Sequence, residues 1–404
     1  MKNATVLALA AFPAFAFAQP TQVVKPPIAL YWMSVETSAG MSMPGMGAMA
    51  GMMGGQGQGG RSMLLQLGSQ NAVDAPRAEH DIPPGLAMGP MLPLVTPQAR
   101  AESRERGGMP ERMERPKGRM LIYWGCGESA RPGQPVVLDF AKLAEGERPP
   151  VMGGRPIASP SAPAPGRNRT YGDWPNTEDT KRVPENATLR GEHMVKGNYS
   201  PEIRFGLGEG QDFMATVALA GAPRGAGAAG VSWNSVPTAT GYFAMAIGSS
   251  GQEEFVLWSS SEVQEMGGAL MDYLPPAEVA RLVREKRVMP PSTTECAVPA
   301  EVVQKAGGTP MLNFIAYGPE ANFAQPPRPS DPKIAWEPQW ATKVRFKSTA
   351  TLLLGEYTER AERRARPERA EKSAEPERQA SPPPPAAPDP VKEGINVLKG
   401  IFGR

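Results

Sequence analysis

AGVSWNSVPTATGYFAMAIGSSGQEEFVLW, residues 229–258, is the stretch from which the rest of the chain can be read. It holds three short runs rich in aromatic and β-branched residues, 230–233, 242–247 and 254–258, separated by Pro, Gly and Ser. Such side chains suit a pleated, half-buried surface, and the intervening residues end strands. The stretch therefore predicts sequential antiparallel strands.

Working outward, the same signature recurs. Residues 28–37 (IALYWMSVET) read as a strand with apolar residues on both faces, which marks a buried one. Strand character returns at 62–68, 120–125 (MLIYWG), 135–140, 188–195, 202–205, 213–219, 311–317 and 343–354. Residues 275–286 (PPAEVARLVREK) predict a helix with Pro at its start, where the missing N–H is not needed. Val279, Leu282 and Val283 line one face of it. A second short helix is expected over 299–305.

Residues 69–118 read mostly as loop, part of it disordered. The expected fold class is mainly β: an antiparallel, sandwich-like body with a short helical insertion, long disordered loops and a disordered C-terminal tail.

The organisation follows from shifts in composition. Residues 1–18 read as a signal peptide: Lys2, a short apolar run, and Ala16-Phe17-Ala18 before Gln19. Residues 19–148 form an N-terminal β region, with a Met/Gly-rich loop at 40–60 and a disordered loop at 69–118. Residues 149–186 are a Pro-rich linker or excursion, and 187–357 a β-rich core region. Residues 358–390 are a charged and Pro-rich tether, and 391–404 an amphipathic helix.

Within the core region, Trp233, Val236, Pro237, Ala239 and Tyr242 stand in the phrase VSWNSVPTATGYFAMAI. The phrase resembles the second and third strands of fibronectin type III-like sandwiches. There a strand Trp precedes Val-Pro-x-Ala-x-x-Tyr, and the Trp and Tyr pack in the core. The resemblance covers residues 231–247 and implies a sandwich serving as an interaction scaffold. Beyond Trp258 the chain departs from that pattern by its helical insertion.

Charge and cysteine content narrow the function classes. With 43 basic and 41 acidic residues the chain carries net charge +2, which provides no electrostatic case for nucleic acid. No run of apolar residues is long enough for a transmembrane helix. Export to a periplasmic or secreted location makes Cys126 and Cys296, the two cysteines, a disulfide pair. Closing so long a loop stabilises the folded state by up to about 5 kcal/mol in the chain-entropy model.

Candidate chemistry is sparse. The two histidines, His80 and His193, stand in no Gly-x-Ser-x-Gly or His-Glu-x-x-His context. With the cysteines bridged, no constellation for catalysis emerges, and the chain is expected not to be an enzyme and to need no cofactor.

The sharpest chemical feature is Met41, Met43, Met46, Met49, Met52 and Met53 within 40–60, whose thioethers favour Cu(I), with His80 as a further candidate ligand. The segment resembles the Met-rich stretches of exported copper-handling proteins; the bland alternative is a flexible apolar loop. Val391, Ile395, Leu398 and Phe402 recur at helical spacing and would dock on a membrane surface or an envelope protein. Trp32, Trp124, Trp233, Trp258, Trp336 and Trp340 either form a sugar-stacking surface or pack in the core, and Trp336 and Trp340, in WEPQW, are the better surface candidates. The expected function is structural or protein-binding work in the cell envelope. Copper(I) binding is the alternative, and an enzyme of unidentified class the next.

Overall fold

In the computed structural model, residues 22–42, 58–97, 118–148, 155–251 and 253–355 are described. The expected leader, the expected terminal helix with Val391, Ile395, Leu398 and Phe402, and Met43, Met46, Met49, Met52 and Met53 lie outside these residues.

The protein is mainly β. In chain order the strands are β1 (Ala29–Ser42), β2 (Gln58–Ser69), β3 (Ala78–Asp81), β4 (Met91–Leu94), β5 (Arg119–Trp124), β6 (Val136–Asp139), β7 (Thr170–Trp174) and β8 (Gly191–Gly197). They continue as β9 (Ile203–Leu207), β10 (Ala220–Pro223), β11 (Ala229–Ser232), β12 (Gly241–Ser249), β13 (Glu254–Ser259), β14 (Glu295–Val298), β15 (Met311–Gln325) and β16 (Trp340–Leu353). The helices are α1 (Phe140–Ala144), α2 (Pro276–Arg284) and α3 (Ala300–Lys305).

Strands from both halves of the chain share one nine-stranded sheet, ordered β6-β5-β13-β12-β15-β16-β1-β2-β7. Most neighbours are antiparallel, but β1 runs parallel to β16 and β5 parallel to β13. A four-stranded sheet, β4-β3-β8-β9, and a three-stranded sheet, β10-β11-β14, complete the body.

Alternation along the strands sorts the layers. Tyr31, Met33 and Val35 of β1, Val344 and Phe346 of β16, and Phe314 of β15 point into one continuous core. Val195, Ile203 and Phe205 of the four-stranded sheet join that core, as do Val231 and Val298 of the three-stranded one. Both smaller sheets therefore pack on the same face of the large sheet, a sandwich-like arrangement. The opposite face is covered in part by α2, where Val279 and Leu282 meet Phe243, Ile315 and Tyr317. Phe140 and Leu143 of α1 pack against Met120, Ile122 and Leu257.

The 229–258 stretch corrects one expectation. β12 and β13 pair as an antiparallel hairpin, but β11 leaves for the three-stranded sheet, between β10 and β14. The segment joining β11 to β12 contains Pro237 and is too long for a tight hairpin turn. It carries the chain from one layer to the other. Trp233 and Tyr242 meet edge-on in the core with ring centroids 5.7 Å apart, and the Tyr242 hydroxyl accepts from the Val236 N–H at 3.0 Å.

Three further differences are informative. Residues 213–219 form no strand; Met214, Val217 and Leu219 are buried, and the Asn234 side chain accepts from Ala218 N and donates to Thr216 O. A side-chain amide there takes the place of a neighbouring strand. The 69–118 stretch contains β3 and β4, each four residues long. The 149–186 stretch carries β7, at the edge of the large sheet.

Cys126 and Cys296 are bonded, with Cα atoms 5.3 Å apart, and Gly127 N donates to Ala297 O beside them. The bond ties the end of β5 in the large sheet to β14 in the three-stranded one. Among the described residues, no helix is long and apolar enough to cross a membrane.

Candidate functional site

Two successive residues of β1 lead to the two polar features of the body. Tyr31 points inward. Its hydroxyl lies 2.8 Å from His80 Nδ1, His80 Nε2 lies 3.0 Å from His193 Nδ1, and His193 Nε2 lies 2.7 Å from the Leu189 carbonyl. Only one proton order satisfies every group with both imidazoles neutral. His193 donates to Leu189, His80 donates to His193, and Tyr31 donates to His80.

His80 comes from β3 and His193 from β8, so the chain of bonds joins the four-stranded sheet to β1. The rings pack against Phe205, on which His193 stacks at 5.0 Å. Burial, with the neighbouring His193, holds the His80 pKa well below its ordinary value, and burial lowers that of His193. Burial also pushes the Tyr31 hydroxyl well up. His80 is fully enclosed with both ring nitrogens engaged, so a ligand role for it in copper binding would require breaking this chain. Among the described residues no group of three or more His, Cys, Asp and Glu side chains is placed to hold a metal.

Trp32 points outward. Lys343 Nζ lies 5.5 Å and the Arg345 guanidinium 4.9 Å from its ring centroid. Arg345 also lies 4.3 Å from the Tyr273 ring, and Lys347 lies 4.6 Å from that same ring. Rings and cations thus alternate across the outer face of β1 and β16. Lys343 pairs with Glu320, Lys347 with Glu36 at 3.4 Å, and Arg345 Nε donates to Ser34 Oγ at 2.7 Å. Burial lowers the Arg345 pKa from its ordinary value, opposed by Asp272, Tyr273 and Glu320.

This ladder opens at one end into a cleft of about 910 Å³. Trp32, Asn322 and Lys343 line it from the outer face of the large sheet, and Trp340, Thr342 and Phe323 from the inner face. Arg204 of β9 and Glu202, just before that strand, are paired with each other and close one side. Arg328 and Trp336, on the connection between β15 and β16, close another.

That connection is pinned. Gln22 Nε2 donates to Ile334 O at 2.9 Å, Trp336 N to Val23 O at 2.8 Å, and Lys25 pairs with Glu337. Arg328 stacks 5.6 Å from the Trp336 centroid and donates to the neutral Gln22 Oε1 at 2.6 Å; it meets no carboxylate among the described residues. Thr342 is 2% exposed, and its hydroxyl has no hydrogen-bond partner among the described residues.

Both tryptophans of WEPQW border this cleft. Trp336 is half-buried, as a surface candidate should be, whereas Trp340 is 8% exposed and packs in the main core, which corrects its expected surface placement. Sequence reasoning missed Arg204, Arg328 and Lys343, whose spacing in the chain carries no sign that the fold brings them together. Met41 sits near the end of β1, partly exposed, where Gly40 pairs with Gln58 of β2. The Met segment therefore leaves from the tip of a hairpin.

Comparison with family models, with curated proteins and with solved structures finds no match for this chain.

Proposed function

We propose that the chain is a non-catalytic, exported protein of the cell envelope that works as a binding scaffold, with the cleft as its binding face and residues 391–404 as a second contact to a membrane surface or envelope protein. The observation that carries this proposal is the cleft itself. It is roomy and partly apolar, is bordered by tryptophans and arginines, and is mounted on a disulfide-tied sheet. Sites that bind through shape and a few polar anchors have this composition. Both histidines are consumed in the core, and Glu202, the one carboxylate among the described residues that line the cleft, is held by Arg204. The fibronectin-like strands supply the support for the surface rather than the surface itself.

The test is a photo-crosslinking residue in place of Asn322, which is exposed at the cleft, in cells that make the full chain. Adducts in the envelope fraction are expected, and they should disappear when Arg328→Glu and Trp336→Ala are combined. Absent adducts, or adducts indifferent to those changes, would overturn the cleft as a binding face. Unchanged fractionation after deletion of 391–404 would count against the second contact.

Copper(I) binding is the second proposal, favoured by the placement of the Met segment at a hairpin tip with its ends held by paired strands. With His80 engaged in the core, the thioethers would act alone. A Cu(I) competition titration with and without residues 40–60 decides it: tight binding lost on deletion supports a site, and equal binding removes it.

A further inference from the structure

β15 is fifteen residues long, but β12 pairs with only its first part, Met311 to Tyr317. A bulge between Tyr317 and Glu320 follows. From Glu320 to Gln325 the strand is paired with β16 on one side, and among the described residues no strand pairs with the other. Gly318 makes the bulge possible, since a Cβ there would lie 2.5 Å from Met214 Sδ and 2.7 Å from Phe346 O. Pro319 and Pro326 bracket the open length. A proline has no N–H to offer, so the two confine any pairing to the residues between them.

The cleft lies along this same open edge. Its lining takes Asn322 from the outer face of the sheet and Phe323 from the inner face, so it wraps the margin at which β15 has no neighbour. β9, the edge strand of the four-stranded sheet, stands across from it, with Phe205 and Phe323 at 5.3 Å. An unpaired row of backbone groups beside a partly apolar cleft is the geometry of strand addition: main-chain hydrogen bonds supply affinity, and alternate side chains enter the walls on either side. Charge states what those side chains should be. Arg204 and Lys343 have carboxylate partners already, whereas Arg328, exposed at the cleft, has only a neutral amide.

We infer that an extended, acidic peptide segment of a partner protein adds as a strand along Glu320–Gln325, with a carboxylate of the peptide on Arg328. The inference rests on the cleft being the binding face and names what it binds.

The probe is a displayed library of random octapeptides panned against the mature full-length protein. Enriched sequences are expected to alternate β-branched residues with Asp or Glu and to bind with micromolar affinity. Methylating alternate backbone nitrogens of the best synthetic binder should abolish binding, because it removes the donors of the added strand. Arg328→Glu, at an exposed position, should weaken binding by about tenfold or more while the melting temperature stays that of the wild type.

Binding that survives backbone methylation in both registers, or enrichment of proline-rich peptides, would overturn strand addition while leaving the cleft as a binding face. No enrichment over the Arg328→Glu, Trp336→Ala protein would overturn strand addition, and with crosslinks also absent at position 322 the binding face falls too. Enrichment seen only after deletion of residues 356–404 would assign the slot to the chain's own tail and overturn the partner.

Discussion

Tyr31 and Trp32 are neighbours on one strand, and they face opposite problems. Tyr31 enters the space between two sheets, where water is excluded and an unpaired polar group is expensive. Its surroundings answer with a chain of neutral donors and acceptors that ends on a backbone carbonyl. Trp32 lies on the outer face, and its surroundings answer with charge: Lys343 and Arg345 over its ring, then Tyr273 and Lys347. The inner network must be complete to be stable, whereas the outer one can lose a member and be resolvated. The inner network should therefore fail abruptly and with acid, and the outer one gradually, with salt reaching only its last, ion-paired rung.

The largest effect should come from cutting the inner chain in the middle. His80→Ala removes a buried ring and leaves the Tyr31 hydroxyl and His193 Nδ1 without partners. A loss of about 3–4 kcal/mol is expected from cavity and unpaired-group costs together. Urea unfolding of the wild type and variant measures it. A loss under about 1 kcal/mol would mean that water or rearrangement replaces the ring, and the contrast with the outer face would fail.

Acid attacks the same chain. Both imidazoles have folded-state pKa values below the ordinary 6.5, for which burial is the leading cause. The unfolded chain therefore binds more protons than the folded one as pH falls. The stability contributed by neutral histidines is fully present above about pH 6.5 and is lost progressively below it. The stability gap between wild type and His80→Ala should narrow as pH falls from 7 toward 5. A constant gap would show that protonation does not reach the chain.

How much of this was legible in the sequence depends on how local its cause is. Runs dense in aromatic and β-branched residues identified β1, β5, β12, β13 and β16, since a buried strand selects such side chains within its own few residues. The same reasoning stopped β15 at Tyr317, because Gly318-Pro319 reads as an end; the bulge absorbs both residues and the strand continues to Gln325. β3 and β4 were unreadable because each is four residues long, with Pro93 inside β4. The disulfide followed from cysteine number and compartment alone. The histidine pair could not be read at all. His80 and His193 stand 113 positions apart, and their meeting is a property of strand order. The cleft shares that difficulty, except that WEPQW flagged its loop through an unusual density of tryptophan in a polar stretch.

On the outer face, Arg345→Met keeps an apolar stem between Trp32 and Tyr273 but removes two cation–ring contacts and the bond to Ser34 Oγ. About 1–2 kcal/mol should be lost, less than for His80→Ala. Because burial partly shields Arg345, that loss should change little between low and high salt. A loss equal to the inner cut would erase the distinction between the two faces.

The smallest effect belongs to Lys347, the last rung. It stands 3.4 Å from Glu36 Oε2 and 4.6 Å from the Tyr273 ring. Glu36 keeps a second partner, accepting from Thr349 Oγ1 at 2.6 Å, so losing the lysine does not strand the carboxylate. Lys347→Met should therefore cost about 0.5 kcal/mol at low salt and less in molar salt, where screening removes the ion-pair part. Measured beside Arg345→Met, it separates what rings contribute from what ion pairing contributes along one ladder. If both variants lose the same amount and respond alike to salt, the ladder is a row of equivalent surface charges. If only Lys347 responds to salt, the aromatic rings organise the outer face as the histidines organise the inner one.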